Sequence, residues 1–203
     1  MRWSWVGLLL VWPLWAEELD AAVASRHCQL QFAGDGHSSR RIQLTLKNLG
    51  SRPLDLHLAR FTTLEHSLLL LEDRTLQLPA RATARATLTA MTFAPPEQAA
   101  PQETAEEGHP GAPGANPLAV KASQCYQAAL KQASSFPDMP ITPSQRPLVL
   151  AQLAFWRSQG QLDLDGLKAL VNRQLKPDGV EAQKEAEEGV AAVWKAIEMV
   201  LGP

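Results

Sequence analysis

Cysteine, tyrosine and any surplus of one charge are all scarce in this chain. Two cysteines are too few for a disulfide-rich miniature scaffold or a four-cysteine zinc site. Lys plus Arg number 19 and Asp plus Glu 21 over 203 residues, a net charge of −2. That balance excludes a general nucleic-acid binder, which is usually strongly basic. A hydrophobic share of 45% excludes a wholly disordered chain. The sequence also lacks a glycine-rich phosphate loop and a G-x-S-x-G nucleophile turn. No two of His27, His37, His57, His66 and His109 have the spacing of a zinc helix. The expectation is therefore a non-enzymatic protein with no cofactor and no bound metal.

What is present begins at the N-terminus. Residues 1–16 read MRWSWVGLLLVWPLWA: Arg2, an apolar run from Trp5 to Trp15, then Ala16 ahead of Glu17 and Glu18. A basic start, a short apolar stretch and a small residue before an acidic segment are the marks of a secretory signal. The run is shorter than the roughly 20 apolar residues that span a bilayer. Cleavage is expected after Ala16. Ala22-Val23-Ala24 also fits the small-x-small rule, but would place Glu17, Glu18 and Asp20 inside the cleavage region. No later apolar run is long enough to cross a membrane, so the expected location is secreted or periplasmic.

Beyond the signal, three blocks differ in composition. Residues 25–93 alternate apolar and polar side chains. Ile42, Leu44 and Leu46 share one face of a strand, and Leu54, Leu56 and Leu58 one face of another. With the turn cluster Asn48 to Pro53 between them, these two runs read as an antiparallel hairpin. Further strands are read at Cys28–Phe32, Ser67–Leu71, Thr75–Leu78 and Ala82–Phe93. Residues 94–117 hold six Pro, three Gly and no apolar residue larger than Ala, the composition of a linker. Residues 118–203 carry four helical patterns. Ser144 is read as capping the second, Asp163 the third, and Asp178 with Glu181 as a capping box for the fourth. The predicted fold class is α+β: a small antiparallel, immunoglobulin-like β-sandwich followed by a three- to four-helix C-terminal cap or bundle.

Charge divides with the blocks. Residues 25–93 hold nine basic and five acidic residues, residues 94–117 four Glu and no Lys or Arg, and residues 118–203 nine of each. Arg40, Arg41, Arg52, Arg60, Arg81 and Arg85 form a candidate basic face for an anionic envelope polymer or lipid headgroup. In an exported protein, Cys28 and Cys125 are the candidate disulfide, stapling the two halves together. Asp163-Leu164-Asp165-Gly166 resembles the start of a calcium loop, but the twelfth position is Gln174, so helix capping explains the acids.

Ser123-Gln124-Cys125-Tyr126 and Ala151-Gln152-Leu153-Ala154-Phe155-Trp156 resemble the Cys-Tyr and Thr-Gln-x-Ala-x-Trp motifs of bacterial surface thioester domains. The resemblance implies a secreted sandwich with a helical part. It also implies a Cys125–Gln152 thioester that captures amines. Ala151 stands where the family has Thr. The leading expectation is an exported, non-catalytic interaction or structural module whose partner is an unknown protein or envelope component. Covalent capture and binding of a small apolar ligand between sheet and helices are the alternatives.

Overall fold

The computed structural model describes residues 16–34, 41–65, 67–96, 106–111, 114 and 116–202. Residues 1–15 of the expected signal 1–16 lie outside them, as do Arg40, His37, His66 and part of the 94–117 linker. The fold is mixed α+β, with two sheets and five helices among the described residues.

Strands β1 (Glu17–Glu18), β4 (Leu54–Leu58) and β7 (Arg74–Leu78) form a three-stranded sheet in the order β1-β4-β7. The larger sheet contains β2 (Cys28–Gly34), β3 (Arg41–Asn48), β5 (Thr63–Leu64), β6 (Leu68–Leu70), β8 (Thr83–Thr92), β9 (Glu106–Glu107) and β10 (Pro110–Gly111). Their order is β10-β5-β6-β8-β3-β2-β9. The alternating residues behave as period two requires: Ile42, Leu44 and Leu46 are buried, Arg41, Gln43 and Lys47 exposed. Leu56, Leu58 and Leu78 of the smaller sheet meet Leu30, Leu44, Leu46 and Leu88 of the larger one in a single apolar cluster. A short helix, α1 (Leu19–Ala24), contributes Leu19 and Ala22 to it.

The structure departs from the sequence reading in three places. First, β3 and β4 are not a hairpin. β3 pairs with β2 and β8, and β4 pairs with β7 and β1, so residues 49–53 carry the chain from one sheet to the other. Alternation in each strand shows that one face is buried, and an arch between two sheets satisfies this as well as a hairpin does. Second, the linker is not all tether. Glu106 and Glu107 pair with Phe32 and Gln31 at one edge of the large sheet, while Pro110 and Gly111 pair with Leu64 and Thr63 at the other. Only Gly108 and His109 separate these pairings, a reach of at most about 11 Å. The sheet therefore curls until its two edges flank one six-residue segment. Third, two predicted caps do not form. Gln145, not Ser144, precedes α3 (Arg146–Ser158), and Gly179, at φ 90°, precedes α5 (Val180–Leu201) without a side-chain cap.

The remaining helices, α2 (Pro117–Lys131) and α4 (Leu164–Leu175), begin at Asn116 and Asp163, whose side chains accept hydrogen bonds from the N–H of Leu118 and Gly166. The four C-terminal helices share a second apolar cluster with Leu69, Leu71, Met91 and Phe93. The pattern of β8 explains where they sit. Its outer positions are polar through Thr83, Arg85, Thr87 and Thr89, then turn apolar at Met91 and at Phe93 just beyond it. The helices cover only that last stretch.

Candidate functional site

The two cysteines lie in different cores. Cys28 belongs to the cluster between the sheets and Cys125 to the helical cluster, and both are free. The expected Cys28–Cys125 bond is not formed in this structure. Burial pushes the Cys28 thiol up to about 11, with smaller opposing and reinforcing effects from a backbone hydrogen bond and Glu17. Burial also raises Cys125, partly offset by Lys121. Both therefore sit as neutral thiols at ordinary pH, poor nucleophiles in the state the fold favours.

Gln152 has a different occupation. It is 5% exposed on α3, and its amide faces the end of β8. The N–H of Thr92 donates to Gln152 Oε1 at 3.0 Å, and Gln152 Nε2 donates to the carbonyl of Thr92 at 2.9 Å. The position is telling. Among the described residues β3 stops pairing with β8 at Arg41–Thr89, and none of them is a strand neighbour to the backbone of Thr92 on that side. The Gln152 amide, a donor and an acceptor in one plane, pairs with the Thr92 backbone as a strand would. One turn on, Trp156 Nε1 donates to the carbonyl of Ala94 at 2.8 Å. Phe155 packs on Phe93 with ring centroids 5.7 Å apart. The Gln-x-Ala-x-Trp segment thus fastens the helices to the sheet. Cys125 lies on the neighbouring helix α2, while both polar atoms of the Gln152 amide are engaged by Thr92.

The five described candidate arginines do not form one face. Arg60 pairs with Asp73 at 3.4 Å, and its own N–H donates to the same carboxylate. Arg40 lies outside the described residues. Arg41 and Arg85 are exposed on the outer face of the large sheet, in the rows Arg41–Thr89 and Thr45–Arg85. The second row continues through Gln31 to the exposed Glu107 of the closing segment. Arg52 and Arg81 meet elsewhere, at the end of the sheets where turns converge.

Asn48 organises that end. It is 2% exposed, and its Nδ2 lies 2.8 Å from the carbonyl of Arg52, 3.1 Å from that of Leu78 and 3.2 Å from that of Pro79. Its Oδ1 accepts from the N–H of Gly50 at 2.8 Å. The N–H of Arg81 donates to the carbonyl of Gly50, and the N–H of Leu49 to that of His27. Three turns are thereby tied together: residues 25–27, 49–53 and 79–82. Each bears one exposed arginine, Arg26, Arg52 and Arg81. The exposed Lys47 adjoins them at the end of β3, and Leu49 stands among them 47% exposed. Arg26 and Lys47 were missed because the sequence places them in separate segments. Their common signal is a lack of acids: segments 21–34, 41–54 and 74–85 hold seven Lys or Arg and no Asp or Glu.

Two of the histidines serve the N-terminal strand. His27 Nδ1 is 3.2 Å from Glu17, and His57 Nδ1 is 2.8 Å from Glu18. His109 pairs with Glu65. Among the described residues no three metal-ligating side chains gather. A cavity of about 70 Å³ beside Pro96, Leu162 and Leu170 is small against the roughly 300–1,000 Å³ of ligand pockets. A larger depression of about 540 Å³ by Gln132, Lys195 and Met199 is shallow and open. No protein-family model, curated protein or solved structure matches the chain.

Proposed function

We propose that this chain is an exported, non-catalytic interaction module of the cell envelope or extracellular space. In this reading the two sheets serve as an immunoglobulin-like sandwich scaffold and the helices as its cap. One observation carries it above the rest: the residues directly after the expected signal are built into the sheet and the core. Glu17 and Glu18 pair in parallel with Leu56 and His57 of β4. Leu19 is 1% exposed and Ala22 fully buried in the inter-sheet core. Removal of residues 1–16 leaves every core residue in place. Removal through Ala24 deletes β1 and α1 and exposes the end of that core. The burial of Leu19 and Ala22 supports cleavage after Ala16 over cleavage after Ala24. No described helix is long and apolar enough to cross a membrane, which suits release after processing.

The experiment is fractionation of cells expressing the full chain and, separately, residues 17–203 behind a single Met. The expected result is the full chain outside the cytoplasm, shortened, and the truncated chain inside. Retention of the full chain in the cytoplasm at its uncut length overturns the reading.

A further inference from the structure

We propose that the turn cluster around Asn48 docks on an anionic membrane surface, with Arg26, Lys47, Arg52 and Arg81 meeting lipid phosphates and Leu49 entering the headgroup layer. This deepens the interaction-module reading and rests on it for the setting in which the protein meets a membrane. The geometry is independent of that setting.

Four observations converge. The chain as a whole is slightly acidic, at −2, yet these four cations gather at one end of the fold. Among the described residues none of them makes an ion pair, whereas Arg60 and Arg146 each hold a carboxylate. The flanking acids are Glu17, held by His27, and Asp55, the second residue of β4. The backbone is fixed, since Asn48 binds two of the turns and Leu49 is bonded to the third. A preformed patch loses less freedom on binding than a mobile loop. Arg26 and Arg81 also adopt φ of 58° and 59°. That left-handed region favours Gly or Asn, so backbone preference does not explain an arginine at both positions.

The partner follows from shape and chemistry. Three turns tied together at one end of the fold present their cations side by side, which suits a surface. An exposed leucine among the cations has no role on a soluble polyanion, but it gains by leaving water at the headgroup boundary. Each cation near an anionic bilayer contributes about fivefold in affinity, and the attraction decays over a Debye length of about 8 Å.

The test is co-sedimentation of the chain from Glu17 onward with vesicles of phosphatidylglycerol mixed with phosphatidylcholine, against phosphatidylcholine alone. The expected result is binding to the anionic vesicles only, weakening as salt rises. A quadruple variant, Arg26→Asn, Lys47→Gln, Arg52→Gln and Arg81→Asn, is expected to lose binding by a hundredfold or more, about fivefold per cation. Asparagine is chosen at 26 and 81 because it tolerates positive φ. A charge-matched control on the helices, Lys121→Gln, Lys131→Gln, Lys168→Gln and Lys184→Gln, is expected to keep it. Leu49→Ser is expected to weaken binding by several-fold. If the quadruple variant fails to fold by circular dichroism, Lys47→Gln and Arg52→Gln singly decide the matter, each with a loss of about fivefold. Equal losses in both quadruple variants, or equal binding to both vesicle types, overturns the proposal. Binding of inorganic polyphosphate with Leu49→Ser unchanged on vesicles reassigns the patch to soluble polyanions and overturns the membrane assignment. Cell fractionation is unaffected by any of these outcomes, so failure of this proposal is distinct from failure of the export reading.

Discussion

Gln152 makes with one side chain the two hydrogen bonds that a neighbouring strand makes with its backbone. Its value lies in what its loss would leave behind. A buried N–H or C=O without a partner costs about 1–3 kcal/mol, whereas a satisfied bond adds only about 1 kcal/mol net. Gln152→Leu keeps the approximate volume and strands both groups of Thr92, so it is expected to destabilise the protein by roughly 2–5 kcal/mol. A urea-unfolding midpoint measures this, and a midpoint equal to that of the parent refutes the role given to the amide. Asn48 follows the same logic at the other end of the sheet, where one buried amide holds turns that are far apart in sequence. Both residues are visible in the sequence, but neither role is. A lone polar residue in a helical or strand pattern reads as surface until the backbone groups it satisfies are known.

At the level of elements, the closing segment sets the shape of the β half. Gly108 is buried within it, and a Cβ there would lie 2.7 Å from Cγ and Cδ2 of Leu30, itself 1% exposed. Gly108→Ala therefore forces either Leu30 or the segment to move, at a cost of about 1–3 kcal/mol. Faster amide exchange is expected at Gly108 and at Glu65, whose N–H donates to the backbone of this segment, with the helices unchanged. Unchanged exchange at both amides would show that the segment does not close the sheet. The periodic elements were legible for physical reasons: the four long helices and the main strands other than β6 bury chiefly one face, and burial imposes periods of two and 3.6, while β6 is buried on both faces. Pairing was less legible. β3 and β4 are neighbours in sequence and strangers in the sheets, because alternation records a buried face without recording its partner. The strand pairs of Glu106–Glu107 and Pro110–Gly111 left no periodic trace, since two residues cannot show a period.

Over the whole molecule, the two halves are joined through strands that face both ways. Leu68 and Leu70 enter the inter-sheet core, while Leu69 and Leu71 enter the helical core. Together with the Gln152 and Trp156 hydrogen bonds, this junction makes a covalent staple unnecessary, which accounts for two cysteines buried apart from one another. The candidate site was legible only in part. Arg52 and Arg81 were in the predicted basic set, but Arg26, Lys47 and the exposed Leu49 join them only through the arch between sheets and the buried Asn48. The account as a whole turns on the proposed cleavage after Ala16 and on two halves held without a disulfide between them. The intact mass of the protein recovered from cells expressing the full chain, taken without reductant and then with it, tests both. The predicted result is the mass of residues 17–203, unchanged by reductant and with no loss of ammonia. A chain starting at Ser25, a deficit of two hydrogens restored by reductant, or a deficit of one ammonia reversed by methylamine would contradict it.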